Sequence, residues 1–422
     1  MRPLRRAAIV AVGSELLTPS RIDTNSLLIT EQLNLLGIDV VLKSVVGDDP
    51  EEVGAVLNAA LARVDVVICS GGLGPTDDDV TRDVVARVLD RPLAEDERIS
   101  KQIEARFAGR GLHMPDINRR QAMVPAGARI LENVKGTAPG LWLEEGDRVV
   151  VLLPGPPREL KAMLADLMEG ALKARAPGRS LVRRVLRITG RTESHTEETI
   201  RPLYGEWARA PVPIAATILA SLGQIELHLS AGAVSRAETE AALDAASLQV
   251  IERLGVDVYS RDGRSMEEAL GEMLVERSLR IAVAESCTGG LITSRLTDVP
   301  GSSRYVDRGV VAYTNDAKTE LLGVARTLIE EHGAVSEPVA VAMAEGVRAR
   351  ATTDVGIGVT GIAGPGGGTP EKPVGTVAVA AVIPGLTRSR LFRFVGDREH
   401  VKAQASQAAL DMVRRMLLAS SQ

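Results

Sequence analysis

The hydrophobic and polar positions of the first third of the chain alternate between short apolar runs and longer amphipathic stretches. The apolar runs are typical of buried strands, and they comprise residues 7–13, 39–47, 65–72 and 148–155. The amphipathic stretches are typical of helices, and they comprise residues 23–37, 49–64, 78–90 and 156–175. Strands that alternate with helices predict an α/β domain with a mostly parallel sheet.

The remainder of the chain changes character twice. Residues 179–256 follow the order strand, helix, strand, strand, helix, which predicts a small α+β domain with a hairpin. A second α/β series begins at Ser265 and ends in a long helix over residues 397–420. We expect Asn315 and Ser336 to cap two of its helices. The predicted fold class is therefore α/β, with two α/β domains of mostly parallel sheets joined by an α+β domain.

Length and composition limit the number of domains and the kind of core that we expect. A chain of 422 residues is long enough for two or three domains, and we predict domains at 1–172, 173–256 and 257–422. Only three Phe, two Trp and four Tyr are present. The cores must therefore be built from aliphatic residues, as in buried parallel sheets.

Net charge and cysteine content limit the binding partners and the cellular compartment that we expect for this protein. The net charge of −5 argues against nucleic acid, which usually needs a basic surface. Two cysteines in so long a chain exclude a disulfide framework and favour a reducing cytosol. The apolar stretch Ala7–Val12 is too short for a signal peptide, and no segment approaches a membrane span. We expect a cytoplasmic protein with neither membrane nor nucleic-acid partners.

The stretch AESCTGG (284–290) carries the first candidate chemistry. Ser286 follows an apolar strand and precedes a helix, at the carboxyl end of a sheet where open α/β sheets bind ligands. The N–H groups at the helix start favour an anion or a developing oxyanion, and Gly289 and Gly290 allow a substrate to approach closely. Ser286 or Cys287 is then a candidate nucleophile. The structural alternative is that Ser286 only caps the helix.

A serine nucleophile needs a base, and here the sequence offers a lysine rather than a histidine. His332 and His400 are the histidines of this region, and neither lies in a turn typical of catalysis. Lys318 follows the strand that ends at Tyr313, and it can act as a base if burial makes it neutral near pH 7. Tyr313 could relay or stabilise the proton. The alternative for Lys318 is a solvated lysine on a helix face.

A third strand end carries the segment GVTGIAGPGGGTPEKPVGTV (358–377). Thr360 closes the strand, and the glycines that follow, including Gly364 and Gly366, form a loop able to wrap a ligand or a phosphate. We expect three strand ends to converge on Ser286, on Tyr313 with Lys318, and on Thr360.

Together these motifs resemble the nicotinamide-nucleotide amidase (NMN deamidase) family, which forms the C-terminal part of the competence/damage-inducible CinA proteins. The blocks AESCTGG, VVAYTNDAKTELLGV, GVTGIAGPGGGTPEKPVGTV and GDREHVK occur in that order between residues 284 and 402. The resemblance implies hydrolysis of nicotinamide mononucleotide to nicotinic acid mononucleotide and ammonia, without a cofactor.

The same resemblance implies roles for individual residues. Ser286 matches the nucleophile, Lys318 the base and Tyr313 the supporting hydroxyl. Cys287 is expected to pack inward as a small apolar residue. The predicted substrate-binding residues are Glu285, Thr288, Gly289, Gly290, Thr360, Gly364, Gly366 and Arg398.

A second candidate site lies in SGGLGPTDDDVT (70–81), which follows a buried strand and opens a helix. Its glycines can bring backbone N–H groups onto a phosphate. The run Asp77, Asp78 and Asp79 suits a divalent cation beside a pyrophosphate, although capping and surface roles are the structural alternative. The loop is not a P-loop, because the Gly-Lys-Ser/Thr ending is missing.

This N-terminal region resembles the molybdopterin-binding fold of the MoaB/MogA type and the N-terminal domain of CinA proteins. AVGSELL, DTNS, GTAPG and LLPGPPRELKAM add to the match, which ends near Leu172. The resemblance implies a nucleotide site that hydrolyses ADP-ribose with a divalent metal, held by Asp78 and Asp79. The predicted residues of this site are Glu15, Asn25, Gly71, Gly72, Thr76, Asp78, Asp79 and Thr81.

The middle region resembles the KH-like connector of CinA proteins, but it lacks the GxxG loop that clamps nucleic acid. We interpret it as structural or as part of a homodimer interface. The whole chain then predicts an enzyme of pyridine-nucleotide salvage that acts on small nucleotides. The competing hypothesis is a ligand-binding or scaffold protein whose N-terminal fold holds a pterin and performs no chemistry.

Overall fold

The computed structural model describes residues 2–221, 223–233 and 235–420. The chain forms two compact units, one comprising Met1–Val182 with Ala231–Ala241 and the other Arg183–Ser230 with Ala242–Gln422. The three predicted domain ranges stay predictions. None of the helices in the described ranges has both the length and the apolar character needed to cross a bilayer.

The N-terminal region is built on a six-stranded sheet. The strands of this region are β1 (Arg6–Val12), β2 (Asp39–Val46), β3 (Val66–Ser70), β4 (Leu93–Glu95), β5 (Met123–Pro125), β6 (Arg129–Leu131), β7 (Gly140–Glu145) and β8 (Arg148–Leu153). Of these, β4 and β5 pair with each other in a separate two-stranded sheet. Its helices are α1 (Thr24–Leu35), α2 (Pro50–Leu61), α3 (Thr81–Val88), α4 (Glu97–Ala108), α5 (Pro157–Glu169) and α6 (Ala171–Ala174). The strand order is β2-β1-β3-β8-β7-β6, and the first four strands are parallel.

Both faces of this sheet are covered, as its apolar strands predict. Along β1, Ala8 and Val10 belong to one buried apolar cluster, whereas Ala7 and Ile9 belong to another. Successive side chains of a strand point to opposite faces, so the two clusters are the two sides of one sheet. This three-layer arrangement leaves the carboxyl ends of β1 and β3 as the open edge where a ligand can bind.

The structure differs from the sequence prediction at two places in this region. Residues 91–147, where the patterns predict no element, contain α4 and the strands β4 to β7. Three of those strands have only three residues, too few to show an alternating pattern. The single helix predicted over 156–175 is divided at Gly170, whose φ of −109° and ψ of −106° are not helical.

The middle region has a four-stranded sheet. Its elements are β9 (Ser180–Thr189), α7 (Glu193–Arg209), β10 (Ile214–Ser221), β11 (Gln224–Ala233), α8 (Arg236–Leu254) and β12 (Val258–Ser260). The strand order is β10-β11-β9-β12. The two strands predicted as a hairpin are therefore neighbours in the sheet, and β12 is an additional edge strand.

The C-terminal region contains a five-stranded sheet in the order β14-β13-β15-β16-β17. Its strands are β13 (Ile281–Glu285), β14 (Val306–Val311), β15 (Val355–Gly361), β16 (Thr376–Ile383) and β17 (Leu386–Arg393). Its helices are α9 (Met266–Glu276), α10 (Leu291–Thr297), α11 (Asn315–Leu322), α12 (Arg326–His332), α13 (Glu337–Ala351) and α14 (Arg398–Ala419). β14, β13 and β15 are parallel, whereas β16 and β17 are antiparallel additions.

One of the two predicted helix caps in this region is wrong, and the other is confirmed in its position. Thr314, not Asn315, is the N-cap of α11, and its hydroxyl accepts from the N–H of Ala317. Ser336 occupies the N-cap position of α13, but its hydroxyl donates to the carbonyl of Gly333 and caps no helical N–H. The parallel strands still end together, so the residues after β13, β14 and β15 meet at one edge.

Candidate active site

The turn after β13 is shaped by a buried carboxylate. Glu285 is fully buried, and its Oε2 accepts from the N–H groups of Gly290 and Ile292 at 3.0 and 3.1 Å. Its Oε1 accepts from the N–H and the hydroxyl of Thr293 at 2.9 and 2.8 Å. Two of these N–H donors belong to the first turn of α10 and the third to Gly290 just before it, so Glu285 takes the place predicted for a substrate anion. Glu285 therefore holds the turn, and its predicted contact with substrate stays a prediction.

Ser286 lies directly after this carboxylate and faces Lys318. Its Oγ is 3.2 Å from Nζ of Lys318. The same Nζ is 3.2 Å from the carbonyl oxygen of Ala312 and 3.3 Å from that of Tyr313. Ser286 exposes 6% of its surface and Lys318 exposes 2%. The structure thus brings the two residues together in a site shielded from bulk water, and it excludes a solvated position for Lys318.

Burial makes the charged form of Lys318 less favourable than it is for a lysine in water. Burial lowers the pKa of its amine below the ordinary value for lysine, because the charged form loses its hydration. None of the described carboxylates lies within ion-pair distance of Nζ. A neutral amine has two N–H groups for the carbonyls of Ala312 and Tyr313, and its lone pair is left for the hydroxyl proton of Ser286. This is the arrangement that a general base requires.

Cys287 is placed differently from its neighbour Ser286. It is 5% exposed and packs in the apolar cluster with Ile281, Val283 and Ile292. Burial raises the pKa of its thiol to about 12, so almost no thiolate is present near neutrality. Since the thiolate is the nucleophilic form, Ser286 is the better candidate of the two.

Tyr313 and Arg398 join the ends of three segments beside this pair. Nη2 of Arg398 donates to the hydroxyl of Tyr313 at 2.8 Å, and Nη1 donates to the carbonyl of Gly364 at 2.8 Å. Arg398 begins α14, whereas Gly364 lies in the loop after β15. Tyr313 is 56% exposed, so its ring is available to a ligand. The predicted convergence of β14 and the glycine loop is therefore present, with Arg398 as the link.

Two further predicted substrate contacts differ in their surroundings. Thr360 is buried, and its hydroxyl donates to the carbonyl of Ala334 at 2.8 Å. It therefore fixes the end of β15 and has no free proton for a ligand. A Cβ on Gly366 would meet no atom within 4 Å, which leaves that part of the loop open to a ligand.

The turn between Ser286 and α10 contains groups without partners. Gly289 and Gly290 have φ values of +64° and +94°, which only glycine adopts readily. Thr288 is fully buried, and within the described residues its Oγ1 has no hydrogen-bond partner. Lys402, on α14, places Nζ 3.7 Å from where a Cβ on Gly289 would lie. Sequence reasoning did not select Lys402, although its spacing of four from Arg398 puts both on one helix face.

The N-terminal loop after β3 uses most of its polar side chains to hold itself. Oδ1 of Asp79 accepts from the N–H of Gly74 at 2.7 Å, and Oδ2 accepts from the N–H and hydroxyl of Thr76 at 2.9 and 2.6 Å. Thr81 is buried and its hydroxyl donates to the carbonyl of Gly71 at 2.8 Å. Gly72 has a φ of +65°, and a Cβ there would lie 2.1 Å from Oγ1 of Thr81. Asp79 and Thr81 therefore shape the loop, and their predicted contacts with a ligand stay predictions.

The remaining predicted residues border one cleft of about 620 Å³. Nδ2 of Asn25 donates to Oγ of Ser70 and to the carbonyl of Gly155, at 3.2 and 2.8 Å. Its Oδ1 is buried with no partner in the part of the chain that the structure describes. Glu15 and Asp78 are exposed at the rim. The cleft thus has one buried, unpaired acceptor and several carboxylates at its mouth.

The two predicted metal residues have different surroundings. Both oxygens of Asp79 accept hydrogen bonds from loop donors, whereas Asp78 is exposed. Over the described ranges, the structure shows no cluster of three or more His, Cys, Asp or Glu side chains that could hold a metal ion. A divalent cation held by Asp78 and Asp79 stays a prediction.

Comparison with known proteins gives the same three-part order. The family model described as "Probable molybdopterin binding domain" matches residues 8–174, "Damage-inducible protein CinA KH domain" matches 183–260, and "CinA C-terminal domain" matches 263–417. A "CinA-like protein" of Koribacter versatilis is 46% identical, over 98% of this chain and all of the relative. A "Putative competence-damage inducible protein" of Symbiobacterium thermophilum is also 46% identical, over 98% of this chain and 99% of the relative.

Among solved structures, a competence-damaged protein (CinA) superfamily protein from Escherichia coli is 38% identical. It covers 36% of this chain and 88% of its own, with a TM-score of 0.35. The fold and the matched segments define an α/β protein that combines a molybdopterin-binding type of domain with a CinA C-terminal domain. The chain belongs to the CinA family, which confirms the resemblance inferred from its motifs.

Proposed function

We propose that the C-terminal site is a Ser–Lys amidase that hydrolyses the carboxamide of nicotinamide mononucleotide. The observation that carries the proposal is the buried amine of Lys318, 3.2 Å from Oγ of Ser286. This pair supports the reaction type, because an uncompensated buried lysine is a base suited to activating serine. The motif resemblance supports the substrate.

The chemistry divides into two steps. Neutral Lys318 takes the hydroxyl proton of Ser286 while Oγ bonds to the carboxamide carbon. The C–N bond then breaks, and the lysine ammonium returns the proton to the departing nitrogen, which leaves as ammonia. Water next attacks the ester, with Lys318 again as base. The ester bond breaks, the lysine ammonium returns a proton to Oγ, and nicotinic acid mononucleotide releases its carboxyl proton to solvent and leaves as a carboxylate.

Residues around the pair support this sequence. The carbonyls of Ala312 and Tyr313 fix the amine and orient its lone pair. The hydroxyl of Tyr313 accepts from Arg398, so its own proton remains free for substrate. Thr288, whose hydroxyl has no partner in the described chain, is a further donor in the same turn.

The proposal is tested by ammonia release from nicotinamide mononucleotide by the purified full chain, with chromatography of the nucleotide product. We expect stoichiometric ammonia and nicotinic acid mononucleotide, without added metal or cofactor. A folded protein that binds the nucleotide without turnover would support the competing binding or scaffold hypothesis.

For the N-terminal cleft, the unpaired Oδ1 of Asn25 supports binding of a polar ligand such as a nucleotide. Hydrolysis of ADP-ribose there stays a prediction, as does its dependence on a divalent metal. The cytoplasmic location and the homodimer also stay predictions.

A further inference from the structure

We infer that a cleft between the middle sheet and β17 binds a nucleoside diphosphate, at a site separate from the Ser–Lys pair. The cleft has a volume of about 1180 Å³, and the residues that line it all belong to the second compact unit. This volume is above the range of roughly 300–1,000 Å³ that is typical of small-molecule sites, so a nucleotide fits. Neither Ser286 nor Lys318 is among the lining residues, and the inference does not depend on the proposed amidase function.

The side of the cleft that β17 forms is the side of the sheet on which α14 packs. Successive side chains of a strand point to opposite faces. Phe392 packs against the apolar cluster that includes the buried residues of α14, whereas the hydroxyl of Ser389 donates to the carboxylate of Glu337 on α13 at 2.7 Å. Arg388 and Arg390 share the face of Phe392, and both border the cleft.

The cleft has an excess of positive charge, because five arginines and only three acids line it. Two of the arginines and two of the acids are already joined in ion pairs: Asp257 with Arg191 and Arg415, and Asp411 with Arg415. Three arginines therefore remain against one acid, Glu193. Within the described residues, the guanidinium groups of Arg388 and Arg390 have neither a hydrogen-bond acceptor nor an ion-pair partner. This part of the cleft is suited to an anion.

The spacing of these two arginines is suited to a diphosphate. Two residues that share one face of a strand, with one residue between them, are about 7 Å apart along the chain. Each planar guanidinium can donate two parallel hydrogen bonds to phosphate oxygens. A diphosphate can therefore accept from Arg388 and Arg390 at the same time.

Aromatic rings beside the arginines provide a surface on which a base can stack. The chain has only three Phe, and two of them, Phe392 and Phe394, border this cleft with ring centroids 5.2 Å apart and 10° between the ring planes. The guanidinium of Arg390 lies over Phe392, 4.8 Å from the ring centroid. Nucleobases stack on aromatic rings and on guanidinium planes. These planes favour a nucleotide over an inorganic diphosphate.

A buried amide in the same cleft is an independent indication of a ligand. Gln407 is 3% exposed and borders the cleft. Its Oε1 accepts from Arg295 at 2.7 Å, but its Nε2 has no acceptor in the part of the chain that the structure describes. Buried polar groups are nearly always paired, and a ribose or phosphate oxygen would supply the missing acceptor.

The test is calorimetric titration of the full chain with adenosine diphosphate. Arg388→Met and Arg390→Met each remove one charge, and Arg350→Met removes an exposed arginine of α13 as the control. We expect each cleft variant to bind adenosine diphosphate about 10- to 100-fold more weakly than the wild type, the range of a hydrogen bond to a charged group. The control should bind it as the wild type does. Equal binding by the wild type and both cleft variants would overturn the site.

Two fragments of the nucleotide separate the contribution of the phosphates from that of the base. Inorganic pyrophosphate should bind the wild type about 5- to 100-fold more weakly than adenosine diphosphate, because it lacks the stacked base. Arg390→Lys keeps the charge and loses the plane, so it should weaken binding of the nucleotide more than binding of pyrophosphate. Adenosine should bind the wild type and Arg388→Met equally. Pyrophosphate binding as tight as that of the nucleotide would overturn the assignment to a nucleotide.

Photolabelling shows where the nucleotide binds, because a nucleotide in the N-terminal cleft would label other residues. We expect an azido-substituted adenosine diphosphate to label residues 386–394 of the wild type, as read by mass spectrometry, and Arg390→Met to lose that label. Excess adenosine diphosphate should protect these residues. A label confined to the N-terminal cleft or to the turn after β13 would overturn the inference. A single-stranded oligonucleotide that bound more tightly and displaced the label would also overturn it, because the cleft would then be a nucleic-acid surface.

Discussion

The two glycine-rich turns of this chain, after β3 and after β13, start from similar sequences and use their polar groups differently. Both follow a buried strand at the carboxyl edge of a sheet and precede a helix. In the N-terminal turn, Asp79 and Thr81 are hydrogen-bonded to the loop itself. In the C-terminal turn, Glu285 accepts hydrogen bonds from Gly290, Ile292 and Thr293, and Ser286 and Lys318 face each other.

The difference shows how a strand-end turn becomes a reactive site. A single buried carboxylate that satisfies several backbone N–H groups leaves the neighbouring side chains free for chemistry. Where the acids are divided between loop support and the exposed rim, as for Asp79 and Asp78, the carboxylate with the most hydrogen bonds stabilises the loop itself. We therefore expect the C-terminal site to be more sensitive to single substitutions than the N-terminal cleft.

The largest expected effect is that of Lys318. Lys318→Arg should reduce kcat for deamidation about 10²- to 10⁴-fold, the contribution of a general base, because guanidinium stays protonated near neutrality. Ammonia release measures the loss. Near-wild-type activity of a folded Lys318→Arg protein would remove the lysine from the mechanism.

The pH dependence of deamidation tests the same role of Lys318 as a base. Deamidation needs neutral Lys318, and burial lowers the pKa of this amine from its ordinary value near 10.5. We expect kcat/KM to rise about tenfold per pH unit below that pKa and to level off above it, with the midpoint below 10.5. A flat profile from pH 5 to 9 would contradict the role of the lysine as base.

The N-terminal cleft should respond separately. If it hydrolyses ADP-ribose with a divalent metal, a chelator should abolish that activity, and Asp78→Ala should weaken it. Deamidation should be unchanged in both experiments, because no residue of the Ser–Lys pair belongs to that cleft. Parallel loss of ammonia release would mean that the two sites are coupled.

The smallest expected effect is on stability. Asp79→Ala removes the acceptor of three loop hydrogen bonds, and it should lower the free energy of unfolding by about 1 to 3 kcal/mol. Denaturant unfolding of the full chain, with Asp78→Ala as the exposed control, measures the difference. Equal stability of the two variants would show that the loop does not depend on Asp79.

Much of the fold could be predicted from the sequence, because residues such as 281–284 of β13 form an uninterrupted apolar run and the helices between the strands are amphipathic. The short strands of residues 91–147 could not be predicted, because a strand of three residues is too short to show an alternation of apolar and polar positions. Ser286 and Lys318 were predicted together by the order of strand ends. The role of Glu285 could not be predicted, because it depends on which N–H groups its carboxylate meets after folding.

The central claim is that Ser286, and not its neighbour Cys287, attacks the carboxamide. The most direct measurement is ammonia release from nicotinamide mononucleotide by Ser286→Ala and Cys287→Ala, prepared in parallel and checked for folding by circular dichroism. We expect Ser286→Ala to release no ammonia above background and Cys287→Ala to retain most of the wild-type rate. Retained activity in Ser286→Ala, with or without loss in Cys287→Ala, would contradict the account.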